Sequence, residues 1–281
     1  MKRARLGGQV AVITGAAKGI GRATALELAA AGMKIAGCDV DEAALEQTLA
    51  DCRACGAPAT LAAKVDVAEA DQVQAFAEQV ERELGATFCL VNNAGVGVSA
   101  GFFDTEPADW DWLLRINLGG TINGVRAFAP FMQLRAKGSI VNVASASGYC
   151  NLPGIAAYGA TKYAVMGLSE ALRAELLPSG VTVGVVCPGI VNTSILDEAR
   201  IRGVRDVEAE RRSLQALYRR RGHAPEIVAR AIAGGIRSGR AMTIVTSEAW
   251  LLYVMKRLAP SALPWLLRAS QRLYQKRLYQ K

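Results

Sequence analysis

A short apolar strand that runs into a glycine-studded turn and then a helix, "QVAVITGAAKGIGRATALELAAAG" at residues 9–32, restricts the possible folds of this chain more than any other feature. Gly15, Gly19 and Gly21 remove side chains where the backbone must turn sharply, and the helix that follows opens with amides that have no partner inside it. Those amides, aligned with the helix dipole, favour an anion such as a pyrophosphate. The spacing GxxxGxG departs from the commoner GxGxxG, so the turn alone is weak evidence for a ligand. It is stronger evidence for architecture, because a strand followed by a crossover helix and another strand builds a parallel sheet. Further apolar runs at 33–39, 60–66, 88–92, 139–145, 181–187 and 242–246 alternate with helical patterns. The expected fold class is therefore α/β, with a doubly wound, mostly parallel seven-stranded sheet flanked by helices. A hydrophobic content of 51% suits strands buried on both faces, and 281 residues fit a single α/β domain.

Tyr158 and Lys162 stand four residues apart in "AAYGATKYAVMGLSEAL", so on a helix a phenol and an ammonium project from one face. A phenol titrates near pH ~10, and ionising it near neutrality takes roughly 4 kcal/mol, much of which a neighbouring cation can supply. A solvated helix face carries such pairs too. Ser145 tips the balance: it ends the run "GSIVNVAS", which sets its hydroxyl at the carboxyl edge of a buried strand, where open α/β sheets bind ligands.

Taken in order, these residues resemble the short-chain dehydrogenase/reductase family, from about residue 9 to 193 and more loosely to about 244. The resemblance implies a Rossmann sheet and an NAD(P)-dependent oxidoreductase acting on CH–OH groups, and it assigns roles position by position. "TGAAKGIG" at 14–21 matches the cofactor turn, which brings in Gly15, Lys18, Gly19, Ile20 and Gly21. Asp66 and Val67 match the adenine contact. Asn92, Asn93, Ala94 and Gly95 match the motif that shores up the sheet beside the cofactor. Asn117 in "RINLGG", Ser145, Tyr158 and Lys162 match the catalytic tetrad, and Pro188, Gly189, Ile190, Val191 and Thr193 match the segment that holds the nicotinamide carboxamide. The implied chemistry is hydride transfer between nicotinamide C4 and a carbinol or carbonyl carbon. In it, Tyr158 is the general acid/base, Ser145 orients the substrate oxygen, and Lys162 bridges to the nicotinamide ribose and lowers the Tyr158 pKa. Asn117 would hold a water in a relay from Lys162 to solvent. Family members dimerise through helices corresponding to 110–134 and 156–177, so a homodimer or homotetramer is expected.

Cofactor choice turns on Asp39, which ends the second strand. A carboxylate there accepts hydrogen bonds from the adenosine ribose hydroxyls and repels a 2′-phosphate, which favours NAD. Lys18 pulls the other way, since a cation at that place resembles one used by NADP-preferring relatives. The carboxylate outweighs it, because a flexible lysine turns easily to solvent.

Six scattered cysteines and an N-terminus without an apolar signal core read as a reduced, cytoplasmic protein. Cys52 and Cys55 form a C-x-x-C, but with no second pair and a single histidine, His223, no metal site is expected. His223 reads as a surface residue. Charge is uneven: residues 1–195 carry 15 basic against 18 acidic side chains, and residues 196–281 carry 18 against 7. The basic third lacks a recognisable nucleic-acid motif, so no nucleic-acid partner is expected. From Trp250 onward there are seven cations and no acidic residue, interleaved with apolar and aromatic groups too short in run to span a bilayer. That pattern fits an interfacial segment on anionic lipid, peripheral at the inner membrane face, or an arm packed on a subunit or the active site. The organisation is thus a dehydrogenase domain at 1–248, with a substrate lid at about 194–222, and a basic amphipathic extension at 249–281.

Ile195, Leu196, Leu214, Leu217 and Tyr218 of the lid, with Phe102, Phe103, Leu152 and Ile155, could form an apolar wall. Lid and tail together point to a small lipophilic alcohol or ketone such as a steroid, a retinoid or a long-chain hydroxy compound. Arg200, Arg202, Arg205, Arg211 and Arg212 leave an NADPH-dependent reductase of 3-oxoacyl thioesters as an alternative. A non-catalytic dinucleotide-sensing or scaffolding protein is the alternative from another class.

Overall fold

A computed structural model describes residues 5–261. Its centre is a parallel sheet of β1 (Val10–Thr14), β2 (Lys34–Asp39), β3 (Thr60–Lys64), β4 (Thr87–Asn92), β6 (Gly138–Val143), β7 (Val181–Cys187) and β9 (Met242–Ile244). The spatial order β3-β2-β1-β4-β6-β7-β9 reverses direction between β1 and β4, which opens a crevice at the carboxyl ends of those two strands. A separate two-stranded parallel pair joins β5 (Val98–Ser99) to β8 (Arg200–Ile201).

The apolar runs become the central strands because both of their faces are covered. Every residue of β1, β4 and β6 is buried, whereas edge strands β3 and β9 are only partly so. On one face α1 (Gly19–Ala30), α2 (Glu42–Ala54) and α8 (Pro225–Ser238) bury Leu28, Leu45, Leu49, Ile232 and Ile236. On the other, α3 (Ala70–Glu83), α5 (Gly120–Leu134) and α6 (Ala156–Leu176) bury Phe76, Phe128, Met132 and Leu176. Helix α4 (Pro107–Leu113) passes into α5 through a single π-helical stretch, Leu114–Gly119, which contains Asn117.

Three strands stop short of their expected ends, and in each case the next residues have other partners. Asp66 leaves the β3 ladder because its amide donates to Gln72 Oε1 at 2.9 Å and its carboxylate accepts the Ala68 amide at 2.9 Å. Ser145 caps the short turn after β6, and Thr246 caps α9 (Ser247–Leu258). Helix α9 runs across the boundary expected at 248, and its inner face, Ala249, Leu252, Tyr253 and Met255, packs on Tyr149, Cys150 and Val165. The expected extension beyond residue 261 lies outside the described residues.

The segment expected to form a lid begins with a short turn, Ser194–Leu196, passes through β8 and ends in α7 (Val207–Arg221). It is anchored by ion pairs. Asp109, fully buried, accepts from Arg200 Nη1 at 3.0 Å and from Arg202 Nε at 3.1 Å, and the Arg200 guanidinium stacks 4.1 Å from the Trp112 ring. Arg211 donates to the carbonyls of Leu196, Asp197 and Ala199.

Candidate active site

The crevice is built first by the glycine turn. Gly15 has φ +64°, and a Cβ there would lie 2.8 Å from Ala94 Cα, so this position needs both the left-handed conformation and the missing side chain. The turn is stitched to the segment after β4. Thr14 Oγ1 accepts the amides of Asn93 and Ala94, each at 3.0 Å, and Asn93 Nδ2 donates to the carbonyls of Thr14 and Gly15, each at 3.0 Å. Helix α1 opens there with Gly19 and half-buried Ile20, without a side-chain cap or an acidic residue in its first turn, so its amides are left for an anion.

Asp39 sits half-buried beside this turn, its Oδ2 accepting the Ala17 amide at 3.0 Å and its Oδ1 the Asp41 amide at 3.1 Å. Lys18 is engaged as well. Its ammonium bonds Asp41 at 2.7 Å, which raises the Lys18 pKa and lowers that of Asp41. Val67 packs under Gly120, and its carbonyl accepts from Asn123 Nδ2 at 2.9 Å.

Ser145, Tyr158 and Lys162 come together at the carboxyl edge of β6. Ser145 Oγ accepts the Ser147 amide at 3.1 Å and lies beside the Tyr158 phenol. The buried Lys162 ammonium donates to the Val143 carbonyl at 3.1 Å and stands 5.7 Å from the centre of the Tyr158 ring. Burial pushes the Tyr158 phenol above its ordinary value, the nearby Tyr218 phenol adds to that, and the Ser145 hydroxyl pulls the other way. Burial lowers Lys162 to about 8, so its positive charge is lost as pH rises through that value. This differs from the expected lowering of the Tyr158 pKa by Lys162. The cation faces the Val143 carbonyl instead of the phenolic oxygen.

Asn117 reaches the same corner, with both ends of its amide hydrogen-bonded. Oδ1 accepts the Val96 amide at 2.8 Å, and Nδ2 donates to the Val96 carbonyl at 3.0 Å and to Thr161 Oγ1 at 3.1 Å. These bonds clamp the backbone that follows Gly95 against the π-helical stretch. That glycine is close to both groups: a Cβ on it would lie 3.2 Å from Asn117 Oδ1 and 3.4 Å from Lys162 Nζ.

The segment from Pro188 to Thr193 closes the crevice. The Pro188 carbonyl accepts the Ala146 amide at 2.7 Å, Val191 is buried, and Thr193 approaches Gly19. Between this segment, the turn and α7 lies a cavity of about 470 Å³ lined by Lys18, Gly19, Thr193, Leu196, Tyr218 and Arg219, among others. The glycine cradle, the uncapped helix start and the half-buried Asp39 fit a dinucleotide.

Two side chains at the site escaped sequence reasoning. Glu248 takes the Ile190 amide at 3.2 Å and pairs with His223 Nε2 at 3.1 Å. No spacing in the sequence marks that contact, which joins residues 58 apart. Of the expected apolar wall, Phe103 is 97% exposed and Phe102 turns its ring edge toward Trp110, while Leu196 is buried.

Comparison with known proteins agrees with this geometry. The family model described as short chain dehydrogenase matches residues 9–202. The chain is 37% identical over 272 residues to a Mycobacterium tuberculosis protein named probable oxidoreductase EphD, covering 93% of this chain but 45% of that one, so it spans about half the relative's length. It is 32% identical over 262 residues to estradiol 17-beta-dehydrogenase 11 of Mus musculus, covering 92% of this chain and 82% of the relative. A Burkholderia phymatum short chain dehydrogenase/reductase solved with NAD superimposes with a TM-score of 0.84 at 34% identity, over 94% of this chain and 96% of the other. A metagenomic short-chain oxidoreductase solved with NADP gives 0.69 at 31%, over 86% and 97%.

Proposed function

The chain belongs to the short-chain dehydrogenase family, and on that premise we propose that it is an NAD-dependent oxidoreductase of a lipophilic secondary alcohol or ketone. The observation that carries this reading is the convergence of Ser145, Tyr158 and Lys162 at the strand edge facing the glycine turn. When bound, the nicotinamide supplies the hydride donor or acceptor. Tyr158 as the phenol gives its proton to a carbonyl oxygen in reduction, and as the phenolate it takes the carbinol proton in oxidation. Ser145 donates a hydrogen bond to that oxygen and steadies developing charge. Lys162 lies beside the phenol ring, and Gly95 lies against both Lys162 and Asn117.

NAD is favoured over NADP by two linked observations. The Asp39 carboxylate is fixed by two backbone amides where a 2′-phosphate would meet it, and the Lys18 cation that would attract such a phosphate is spent on Asp41. Replacing Asp39 with alanine is expected to cut the NAD-over-NADP ratio of kcat/KM by about tenfold or more, the worth of a lost charge-assisted bond and a relieved repulsion. An unchanged ratio would remove the role given to Asp39.

A lipophilic substrate is supported by Leu196 and Tyr218 on the lid and by the similarity to a protein named for estradiol. The thioester alternative is weakened, because Arg200, Arg202 and Arg211 are already bonded within the protein. The reading extends to peripheral membrane contact. Trp250, Leu251 and Leu258 are 59%, 56% and 80% exposed on the outer face of α9, beside exposed Lys256 and Arg257. Among the described residues no helix is long and apolar enough to cross a membrane. Full-length protein is expected to sediment with anionic vesicles at low salt and to be released in part at high salt, since only the cationic contribution is screened. Loss of solubility on truncation after Glu248, with no vesicle binding by the full chain, would instead make this segment a packing arm. A homodimer or homotetramer belongs to the same reading, with Ile122, Leu134, Tyr163 and Leu177 exposed on or beside α5 and α6.

A further inference from the structure

Helix α9 reaches the active site through its first turn. Tyr149, just past the Ser145 turn, donates its hydroxyl to the Ala249 carbonyl at 2.7 Å, so α9 is bound to the catalytic loop. One residue earlier, the Glu248 carboxylate divides between two partners. Oε1 accepts the Ile190 amide at 3.2 Å, and Oε2 pairs with His223 Nε2 at 3.1 Å. His223 follows the lid helix directly and is bonded to the same segment through its backbone: its amide donates to the Ile190 carbonyl at 2.9 Å, and its carbonyl accepts the Asn192 amide at 2.9 Å. The packing is tight. A Cβ on Gly189 would lie 2.2 Å from Thr246 Oγ1 and 2.5 Å from Glu248 Oε1, so only glycine lets this backbone lie against the start of α9. Burial raises the Glu248 carboxyl, yet the bonds from Thr246, His223 and the Ile190 amide outweigh it and leave the group below the usual carboxylate range.

We propose that Glu248 is a positioning residue for dinucleotide binding, holding the Gly189–Ile190 backbone and the end of the lid as one unit so that the segment is set before the cofactor arrives. The proposal rests on the reading that residues 188–193 receive the nicotinamide end. A preset loop lowers the ordering cost of binding and leaves the chemical step untouched, so the effect belongs in affinity. Glu248 touches neither the Tyr158 phenol nor the Ser145 hydroxyl among its bonds, which separates it from the proton-transfer machinery.

The test uses the full chain and NADH as probe, with affinity read by fluorescence and KM and kcat by turnover. Glu248→Ala is expected to raise the NADH Kd and the cofactor KM about tenfold, the scale of one lost charged bond, with kcat at saturating cofactor within about threefold of wild type. Glu248→Gln, whose amide oxygen can accept the same Ile190 bond, should recover most of that affinity. Should the alanine variant not fold, His223→Ala removes one of the two grips and should raise Kd by about two- to fivefold. An NADH Kd within twofold of wild type in whichever of these two variants folds, a fall in kcat with unchanged KM, or a glutamine variant as weak as the alanine would overturn the proposal. Wild-type protein that binds no NADH would instead overturn the underlying reading of the crevice, while wild-type binding with an indifferent Glu248→Ala removes only the role of Glu248.

Discussion

Replacing Tyr158 with phenylalanine is expected to lower kcat by at least about a hundredfold, within the ~10²- to 10⁴-fold range of acid/base catalysis, while NADH still binds. The substitution removes a hydroxyl and keeps the ring, so the packing around Ala157 and Trp110 is preserved. What is lost is the proton itself, which no neighbour replaces well. A serine hydroxyl such as that of Ser145 is a far weaker acid than a phenol, and Lys162 is bonded to the Val143 carbonyl. Lys162→Ala should differ in kind, weakening cofactor binding together with turnover. Steady-state kinetics combined with NADH titration checks both variants, and a Tyr158→Phe protein retaining more than about a hundredth of wild-type kcat would refute the proton-donor assignment.

Gly21→Ala is expected to abolish dinucleotide binding and to lower the melting temperature by about 6–12 °C. A Cβ at that position would lie 1.9 Å from the Gly15 carbonyl oxygen and 2.6 Å from Asn93 Nδ2. The first obstacle is backbone and cannot step aside, so the turn and the start of α1 must separate. Overpacking of this kind costs about 3 kcal/mol or more, and each kcal/mol is worth about 2–4 °C in a protein of this size. The same shift would break the bonds from Asn93 to Thr14 and Gly15 that hold the turn against β4. Thermal unfolding and NADH titration read the two effects, and a variant with wild-type stability and affinity would show that the turn relaxes freely.

Much of this molecule was legible in the sequence because its signals are local. Continuous apolar runs such as "VTVGVVC" announce strands covered on both faces, and a glycine turn followed by a helical pattern announces the first crossover. Positions at fixed offsets, such as Tyr158 and Lys162, can be paired from spacing alone. Contacts between distant segments could not be read. The bonds of Asn117 to Val96 and Thr161 depend on where a π-helical stretch sets its side chain, and the grip of Glu248 on Ile190 depends on β7 and β9 lying side by side. Electrostatics suffered most. The sign of the Tyr158 shift follows from burial and from which carbonyl Lys162 faces, and neither is encoded in a four-residue spacing. The arginines at 200–212 leave an anionic substrate open in the sequence, whereas Asp109, buried on another element, holds two of them.

The central claim is that hydride passes directly between a lipophilic alcohol carbon and the nicotinamide in this crevice. The most direct test is to incubate the protein with NAD and a panel of secondary alcohols, steroid, retinoid and long-chain, each deuterated at the carbinol carbon, and to examine the dinucleotide by mass spectrometry. The account predicts reduced nicotinamide carrying the substrate's deuterium at C4 with at least one alcohol, and none with Tyr158→Phe over the same interval. Failure of every alcohol to yield labelled dinucleotide, or labelling that persists undiminished in Tyr158→Phe, would contradict it.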